Sequence, residues 1–115
     1  MARRPRVFAA GVLYHVIVRG NQRQKIFTSE SDYRAYIDGL ARYRKKYDYK
    51  LHAYCLMPNH VHLLVESSEH ALAKFMQGPQ QSYSQHFNCK HRKTGHVFEG
   101  ATRRSFAIKT SISYS

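Results

Sequence analysis

Residues 50–66 restrict the possible folds of this chain more strongly than any other stretch. Two β-rich runs, K-L-H-A-Y-C-L-M (50–57) and H-V-H-L-L-V-E (60–66), are separated only by Pro58 and Asn59. Proline presets φ and asparagine tolerates unusual φ, so this pair suits a tight turn. The segment therefore predicts a β-hairpin whose strands span 50–57 and 60–66.

A strand and a helix are predicted upstream of this hairpin. Residues 12–18 (V-L-Y-H-V-I-V) are β-branched and aromatic, which is typical of a strand. Apolar residues at helical spacing predict an amphipathic helix over 30–47, and Ser29 and Asp32 have capping-box spacing at its start. The apolar face of this helix carries tyrosines, which we interpret as core packing rather than as a platform for stacking bases. They are Tyr33, Tyr36, Tyr43 and Tyr47.

A second helix and a final strand are predicted downstream of the hairpin. Ser67 and Ser68 can cap the helix, and its apolar residues keep to one face. Gly78 followed by Pro79 should kink or split this helix, because proline removes a backbone hydrogen bond. A weaker pattern predicts a last strand over 104–110.

The order of these elements is strand, helix, strand, strand, helix, strand. This order predicts an α+β ferredoxin-like sandwich (βαββαβ), in which both helices cover one face of an antiparallel sheet. The length of 115 residues fits one domain, with a basic N-terminal arm over 1–10 and a divergent C-terminal end over 101–115. RNA-recognition domains share this plan, so the fold does not decide the function.

The composition indicates a polyanionic partner. Lysine and arginine number 19 against 7 acidic residues, which gives a net charge of +12, and the chain also has 9 tyrosines and 6 phenylalanines. Basic and aromatic residues together favour nucleic acid, since phosphates pair with the charges and bases stack on the rings. A basic surface kept for solubility is the alternative. No apolar run is long enough for a membrane span, so we expect no membrane partner.

The cysteines and the N-terminus indicate a cytoplasmic protein. Cys55 and Cys89 do not make a disulfide framework and are expected to be free thiols. A basic stretch precedes an apolar one at the N-terminus, as in a signal peptide. However, His15 interrupts the apolar run, and Arg19 and Arg23 replace the small residues of a cleavage site.

His60 and His62 are the clearest chemical signal in the chain. They lie two residues apart on a predicted strand, so both imidazoles should point to the same face while Val61 and Leu63 point to the core. Two imidazoles on one face suit a divalent metal ion. Two ordinary surface histidines in a histidine-rich chain are the alternative.

Two further interpretations rest on other residues. A zinc site could be assembled from several cysteines and histidines, although no C-x₂-C or H-x₃-H pair is present. The residues concerned are Cys55, Cys89, His86, His91 and His96. An RNA-binding module on the same fold is the other possibility, but the aromatic pattern of the RNA-recognition motif is missing.

Four segments carry a resemblance to a known family. In chain order they are G-x-x-Y-H-V (11–16), R-G-N-Q-R (19–23), Y-C-L-M-P-N-H-V-H-L-L-V (54–65) and F-N-x-K-x-x-x-x-G-H-V-F-E-G (87–100). With these segments the chain resembles the single-tyrosine transposases of the HUH class (IS200-like transposases), in the branch of REP-associated tyrosine transposases. The resemblance extends from residue 4 to about residue 100.

The resemblance implies a metal-assisted reaction on single-stranded or hairpin DNA. His60 and His62 would hold Mg²⁺ or Mn²⁺ with a third polar ligand, and the metal would polarise the scissile phosphate. A tyrosine hydroxyl would attack, leaving a 5′-phosphotyrosine link and a free 3′-OH, so that strand joining needs no ATP. Relatives can form dimers that share active sites, so a homodimer is a further expectation.

The nucleophilic tyrosine is where this chain departs from the family. In the family it lies on a helix after the fourth strand, with an Asn or Gln four residues later as the third metal ligand. This sequence ends at Ser115, so we expect that helix to be lost and catalysis to be impaired. Tyr114 has one residue behind it. Tyr83 is the internal candidate, but it lies in the apolar stripe of the second helix, where a packing role is favoured.

Basic residues in two loops are candidate phosphate contacts, with loop solvation as the alternative. They are Arg19, Arg23, Lys25, Lys90, Arg92 and Lys93. Two hypotheses follow from the whole sequence. The chain is either a transposase domain that cuts and rejoins DNA, or a protein of the same fold that binds hairpin or single-stranded DNA without cutting it.

Overall fold

The computed structural model describes the backbone of residues 11–106 and the side chains of residues 11–99. Four strands form one antiparallel sheet in the order β2-β3-β1-β4. The predicted ferredoxin-like α+β sandwich is therefore confirmed. The elements are β1 (Leu13–Gly20), a 3₁₀ turn (Asn21–Arg23), α1 (Glu30–Tyr47), β2 (Lys50–Met57), β3 (His60–Glu66), α2 (Leu72–His91) and β4 (Phe98–Phe106).

The core lies between the helices and one face of the sheet. The two inner strands alternate, so that Val16 and Val18 of β1 and Val61, Leu63 and Val65 of β3 are buried. The helices bury their apolar residues against this layer, as their periodicity predicts. These residues are Tyr36, Leu40, Leu72, Phe75, Met76, Tyr83 and Phe87. The tyrosines of α1 thus pack in or against the core.

The two helices approach each other closely at two glycines. A Cβ added to Gly78 of α2 would lie 2.4 Å from the ring of Tyr43, whereas one added to Gly39 of α1 would lie 3.6 Å from Pro79. α2 continues through Pro79 as one helix, so the predicted split at Gly78-Pro79 is wrong. Burial of Pro79 between the helices offsets the backbone hydrogen bond that its ring removes.

Ser67 and Ser68 do not cap α2, which is a correction to the sequence prediction. The helix begins at Leu72, and its N-cap is Ala71. The hydroxyl of Ser67 accepts a hydrogen bond from the amide of Val12, and that of Ser68 donates one to the carbonyl of Tyr47. Both serines therefore join neighbouring segments to the end of β3.

The predicted capping box of α1 is replaced by a different set of contacts. Ser29 is the N-cap residue, but its hydroxyl makes no capping hydrogen bond. Asp32 instead accepts hydrogen bonds from the amide and the hydroxyl of Thr28, at 2.8 Å each. The first turn of α1 is thus stabilised from one residue further upstream than the sequence indicates.

The last strand is displaced from its predicted position. β4 spans Phe98–Phe106 and pairs with β1, whereas the sequence predicts a strand over 104–110. Pairing with β1 decides these bounds, and the local sequence does not contain that information. Residues 107–110 lie outside the described residues, as does Tyr114. Neither described helix is long and apolar enough to cross a membrane.

Candidate metal and nucleic-acid site

Three histidines lie together on the sheet face that points away from the helices. His15 belongs to β1, and His60 and His62 belong to β3, the strand beside it. All three are half-buried. Side chains alternate between the two faces along each strand. Val16 and Val61 point to the core, so the histidines next to them point to the other face. The expected common face of His60 and His62 is present, and His15 joins them.

The ring of His60 is held by the residue before it. His60 Nδ1 lies 2.8 Å from Asn59 Oδ1. An amide oxygen can only accept, so Nδ1 carries the proton and donates it, and Nε2 keeps its lone pair. Asn59 therefore holds His60 in the tautomer that can bind a metal ion. Histidines that bind metal ions usually have such an acceptor at their other ring nitrogen.

The ring of His62 contacts both other histidines. Its Nδ1 lies 3.1 Å from Nε2 of His15, and its centroid lies 5.0 Å from that of His60 at an interplanar angle of 76°. Burial lowers the pKa of His62, and the neighbouring His60, His15 and Arg19 lower it further. A lowered pKa favours the neutral imidazole, which is the form that binds metal ions.

The donor atoms fit a divalent cation as part of a ligand set. In the described part of the chain the hydrogen bonds of His60 and His62 use their Nδ1 atoms, which leaves Nε2 of each ring as the possible metal-binding atom. Two neutral imidazoles are suitable ligands for a divalent ion. No group of three or more His, Cys, Asp or Glu side chains within the described part of the chain could hold a metal ion by itself. The remaining ligands would have to be water, substrate oxygens or other residues.

The loop after β1, which carries the basic residues Arg23 and Lys25, is fixed beside the histidine cluster of β1 and β3. The amide of Gly20 donates to the carbonyl of Asn59 at 2.9 Å, and the amide of Ile26 donates to that of Pro58 at 2.7 Å. The amide of Asn21 donates to the carbonyl of Val97 at 2.8 Å. The segments R-G-N-Q-R, P-N-H and G-H-V-F, which are far apart in the sequence, therefore converge at one end of the sheet.

The candidate phosphate contacts have different surroundings. Arg19 lies opposite His60 in the β1–β3 register, and its side chain is exposed. Arg23, Lys25, Arg92 and Lys93 are also exposed. Lys90 differs, because its ammonium donates to Asp32 and to the hydroxyl of Ser29. Its charge is therefore engaged within the protein.

Tyr83 lies on the helix side of the sheet, whereas the histidine cluster lies on the other side. Its side chain is 2% exposed, and its hydroxyl donates to the backbone carbonyl of Ile26. Burial raises the pKa of Tyr83, and Asp32 raises it further, so the hydroxyl keeps its proton. This placement favours the packing role of Tyr83 over a nucleophilic one.

The residues of the alternative zinc site do not form such a site among the described residues. Cys55 lies on β2, while His86, Cys89 and His91 lie on α2, on the opposite side of the sheet. His86 Nε2 donates to the carboxylate of Asp32 at 2.9 Å. Since a zinc site needs four close ligands, this scatter disfavours zinc binding.

A groove beside His62 extends over the open sheet face. Its volume is about 370 Å³, and apolar atoms line most of it. The lining residues are His15, Ala53, Tyr54, Cys55, His62, Leu63 and Leu64. The sequence did not predict this groove or the contact between Asn59 and His60. It left open whether His15 borders the metal face or packs in the core; strand alternation places His15 on this face, and the register brings it to His62.

The fold and the site together define a ferredoxin-like domain with a histidine pair on the open face of an inner strand. The solved structures that are similar to this chain include the following two proteins. One is a REP-associated tyrosine transposase bound to a REP hairpin, at a TM-score of 0.69 and 10% identity over 96% of this chain. The other is a candidate transposase from Deinococcus radiodurans R1, at a TM-score of 0.66 and 16% identity.

The coverage of these two proteins differs. This chain spans 65% of the length of the REP-associated transposase, while the Deinococcus match covers 94% of this chain and 87% of the other. At such identities the similarity establishes the fold alone. No curated protein matches this chain.

The sequence itself establishes the family. The model of the IS200-like transposases matches residues 9–111, which is nearly the whole chain. The chain therefore belongs to the IS200-like transposase family, and the resemblance inferred from the four sequence segments is confirmed.

Proposed function

We propose that this chain is a DNA-processing transposase domain that binds single-stranded or hairpin DNA and presents one phosphodiester to His60 and His62. The observation that carries the proposal is that both histidine rings lie on the same face of the sheet, beside an exposed basic loop. The hairpin in the structure of the similar transposase supports the choice of DNA. The proposal extends over residues 1–115 as one domain located in the cytoplasm, where chromosomal DNA is accessible.

The basic loops would bind the DNA backbone. Arg19 lies opposite His60 in the β1–β3 register, and Arg23 lies in the turn after β1. Their exposed guanidinium groups can each donate two hydrogen bonds to one phosphate. Such contacts position the strand without reading its sequence. The groove beside His62 has room and apolar atoms for a nucleobase, so the base next to the scissile phosphate would lie there.

His60 and His62 would hold Mg²⁺ or Mn²⁺ through Nε2, with the other ligands coming from substrate oxygens, water or another side chain. When bound, such an ion polarises the scissile phosphate and stabilises charge on the departing oxygen. Imidazole is softer than the ligands that Mg²⁺ prefers, so Mn²⁺ should compete well. Asn59 would hold His60 in the required tautomer throughout.

Strand cleavage would conserve the energy of the broken bond. The tyrosine hydroxyl gives up its proton as its oxygen forms a bond to phosphorus, the bond from phosphorus to the 3′ oxygen breaks, and that oxygen takes up a proton, so no net proton is released. The resulting 5′-phosphotyrosine can be attacked by another 3′-OH to rejoin strands. We assign this tyrosine to a segment outside the described residues, where Tyr114 is the candidate that this chain offers.

A second candidate function is DNA binding without cleavage. The burial of Tyr83 favours it, because the internal tyrosine candidate donates its hydroxyl to Ile26 on the far side of the sheet. This candidate keeps the basic loops and the fold but requires no nucleophile.

One experiment separates the two candidates. The protein is incubated with Mn²⁺ and a hairpin oligonucleotide that carries a 5′ single-stranded extension, and covalent adducts are detected on a denaturing gel. An adduct in the wild type that is lost in His60→Ala and His62→Ala supports cleavage. A gel shift without an adduct supports binding alone, and the absence of both contradicts the proposal.

His52→Ala is the matched control for the histidine variants. His52 lies on β2, and its ring contacts Glu66 at 2.8 Å, near the end of the sheet away from Asn59. We expect no change in adduct formation for this variant. Because His60 and His62 point away from the core, their variants should keep the circular dichroism spectrum of the wild type. The mass of the native species in solution would test the expected homodimer.

A further inference from the structure

We propose that His15 is a positioning residue for His62, an inference that rests on the proposed metal-binding role of His62. In this arrangement His62 Nδ1 donates its proton to His15 Nε2. The lone pair of His62 is then confined to Nε2, the atom that would bind the metal ion. His15 would do for His62 what Asn59 does for His60.

The geometry of the two rings supports a directed hydrogen bond. The nitrogen atoms are 3.1 Å apart, the centroids are 5.3 Å apart, and the ring planes differ by 18°. The centroid separation exceeds the nitrogen separation by about the width of one imidazole ring. The two nitrogens therefore face each other along the line between the ring centres. Nearly coplanar rings in this position share an in-plane hydrogen bond rather than a face-to-face stack.

Only one proton can lie between these two nitrogens when both rings are neutral. If it belongs to His15 Nε2, His62 accepts through Nδ1 and must carry its own proton on Nε2, which blocks metal binding. If it belongs to His62 Nδ1, the lone pair on Nε2 is available. Metal binding requires the second arrangement, and a site in which His15 positions His62 already holds it before the metal ion binds, with His15 as the acceptor.

The backbone keeps His15 in place for this role. His15 lies in the middle of β1, which is hydrogen-bonded to β3 on one side and to β4 on the other. Its register partner in β3 is Leu64, so its ring reaches His62 diagonally across the sheet. Residues on inner strands are held more rigidly than residues on loops, which suits a group that has to orient a metal ligand.

The test begins with the metal-free protein. Long-range ¹H–¹⁵N spectra of the imidazole rings, recorded at about pH 8 where histidine is neutral, distinguish the two tautomers. We expect His62 of the wild type to carry its proton on Nδ1. In His15→Phe, which keeps a ring but has no acceptor, this preference should disappear. In His15→Gln, whose side-chain oxygen can accept, part of it should return.

Mn²⁺ titration of the same variants provides the second measurement. His15→Phe should bind Mn²⁺ about 10- to 100-fold more weakly than the wild type, as is usual when the partner of a metal ligand is removed. His15→Gln should recover part of the affinity, and His52→Phe should match the wild type. Thermal unfolding of each variant identifies any loss of the folded state.

Two results would overturn the positioning role: a proton on His62 Nε2 in the wild type, or a folded His15→Phe protein with unchanged tautomer and unchanged Mn²⁺ affinity. The tautomer is measured without metal or DNA. A protein that fails to cleave or bind DNA but has the expected tautomers would therefore contradict the proposed function and still support the role of His15.

Discussion

The carboxylate of Asp32 and the ammonium of Lys90 lie 2.9 Å apart and join the first turn of α1 to the last turn of α2. Asp32 is fully buried, whereas the Lys90 side chain remains 35% exposed. The same carboxylate contacts His86 Nε2 at 2.9 Å and two donor groups of Thr28. A buried charge with this many partners stabilises one particular arrangement of the two helices.

Replacing Asp32 should therefore destabilise the fold strongly. Asp32→Asn keeps the shape of the side chain but removes the charge that His86 and Lys90 face. We expect the free energy of unfolding to fall by about 3 kcal/mol, the cost of breaking a buried ion pair. Urea unfolding measures this change. Glu30→Gln, which affects an exposed pair with Arg34 in the same helix, should lower stability by only about 0.3–0.5 kcal/mol.

Acid should unfold this protein partly through Asp32. Burial by itself would raise the pKa of this carboxyl, but the hydrogen bonds from His86, Thr28 and Lys90 outweigh it and hold that pKa well below its usual range. A lowered pKa contributes stability above the unfolded value, about 3.9, and this stability is lost as the pH falls further.

The measurement is the free energy of unfolding in urea between about pH 6 and pH 3. In the wild type it should decrease below about pH 4. Asp32→Asn should have a flatter profile over the same interval, since it has no carboxyl to protonate there. Parallel profiles for the two proteins would contradict the assignment of this effect to Asp32.

Two glycine-to-alanine changes in the facing helices should have opposite effects. In Gly78→Ala the new Cβ would meet the Tyr43 ring at 2.4 Å, so the helices have to separate or the ring has to move. We expect a loss of about 1–3 kcal/mol, as for other overpacked sites. In Gly39→Ala the nearest atom is 3.6 Å away, so the better helix propensity of alanine should leave stability equal or higher. Thermal unfolding compares both with the wild type.

Tyr83→Phe tests the packing role of this tyrosine. The change removes the hydroxyl that donates to Ile26 and leaves a buried carbonyl without that partner. The free energy of unfolding should fall by about 1–3 kcal/mol. DNA binding and any adduct should persist, because the hydroxyl lies on the helix side of the sheet. Loss of the adduct from a fully folded variant would instead identify Tyr83 as the nucleophile.

The exposed basic residues should contribute to DNA affinity, while Lys90 should contribute to stability. Arg23→Gln is expected to weaken hairpin binding. The slope of log K against the logarithm of the salt concentration should become shallower by about 1, which corresponds to the loss of one phosphate contact. Lys45→Gln, on α1, removes the same charge from an exposed position far along the chain and should change binding less. Lys90→Met removes the contact with Asp32, so it should lower the free energy of unfolding and leave the affinity for DNA nearly unchanged. Fluorescence anisotropy at several salt concentrations compares the affinities.

The local sequence was sufficient to determine α1, β2 and β3. Their observed bounds, Glu30–Tyr47, Lys50–Met57 and His60–Glu66, coincide with the predicted ones. Helical spacing, strand alternation and a turn of proline and asparagine are properties of neighbouring residues. The common face of His60 and His62 follows from the same alternation, so it could also be read from the sequence.

The tertiary structure alone decided the partners of these elements. His15 contacts His62 across 47 positions in the sequence, and Lys90 contacts Asp32 across 58. β4 begins at Phe98 because β1 provides hydrogen bonds there, and the buried Pro79 of α2 lies beside Gly39 of α1. Strand register and helix packing depend on groups that meet only after the chain has folded, and no local pattern encodes them.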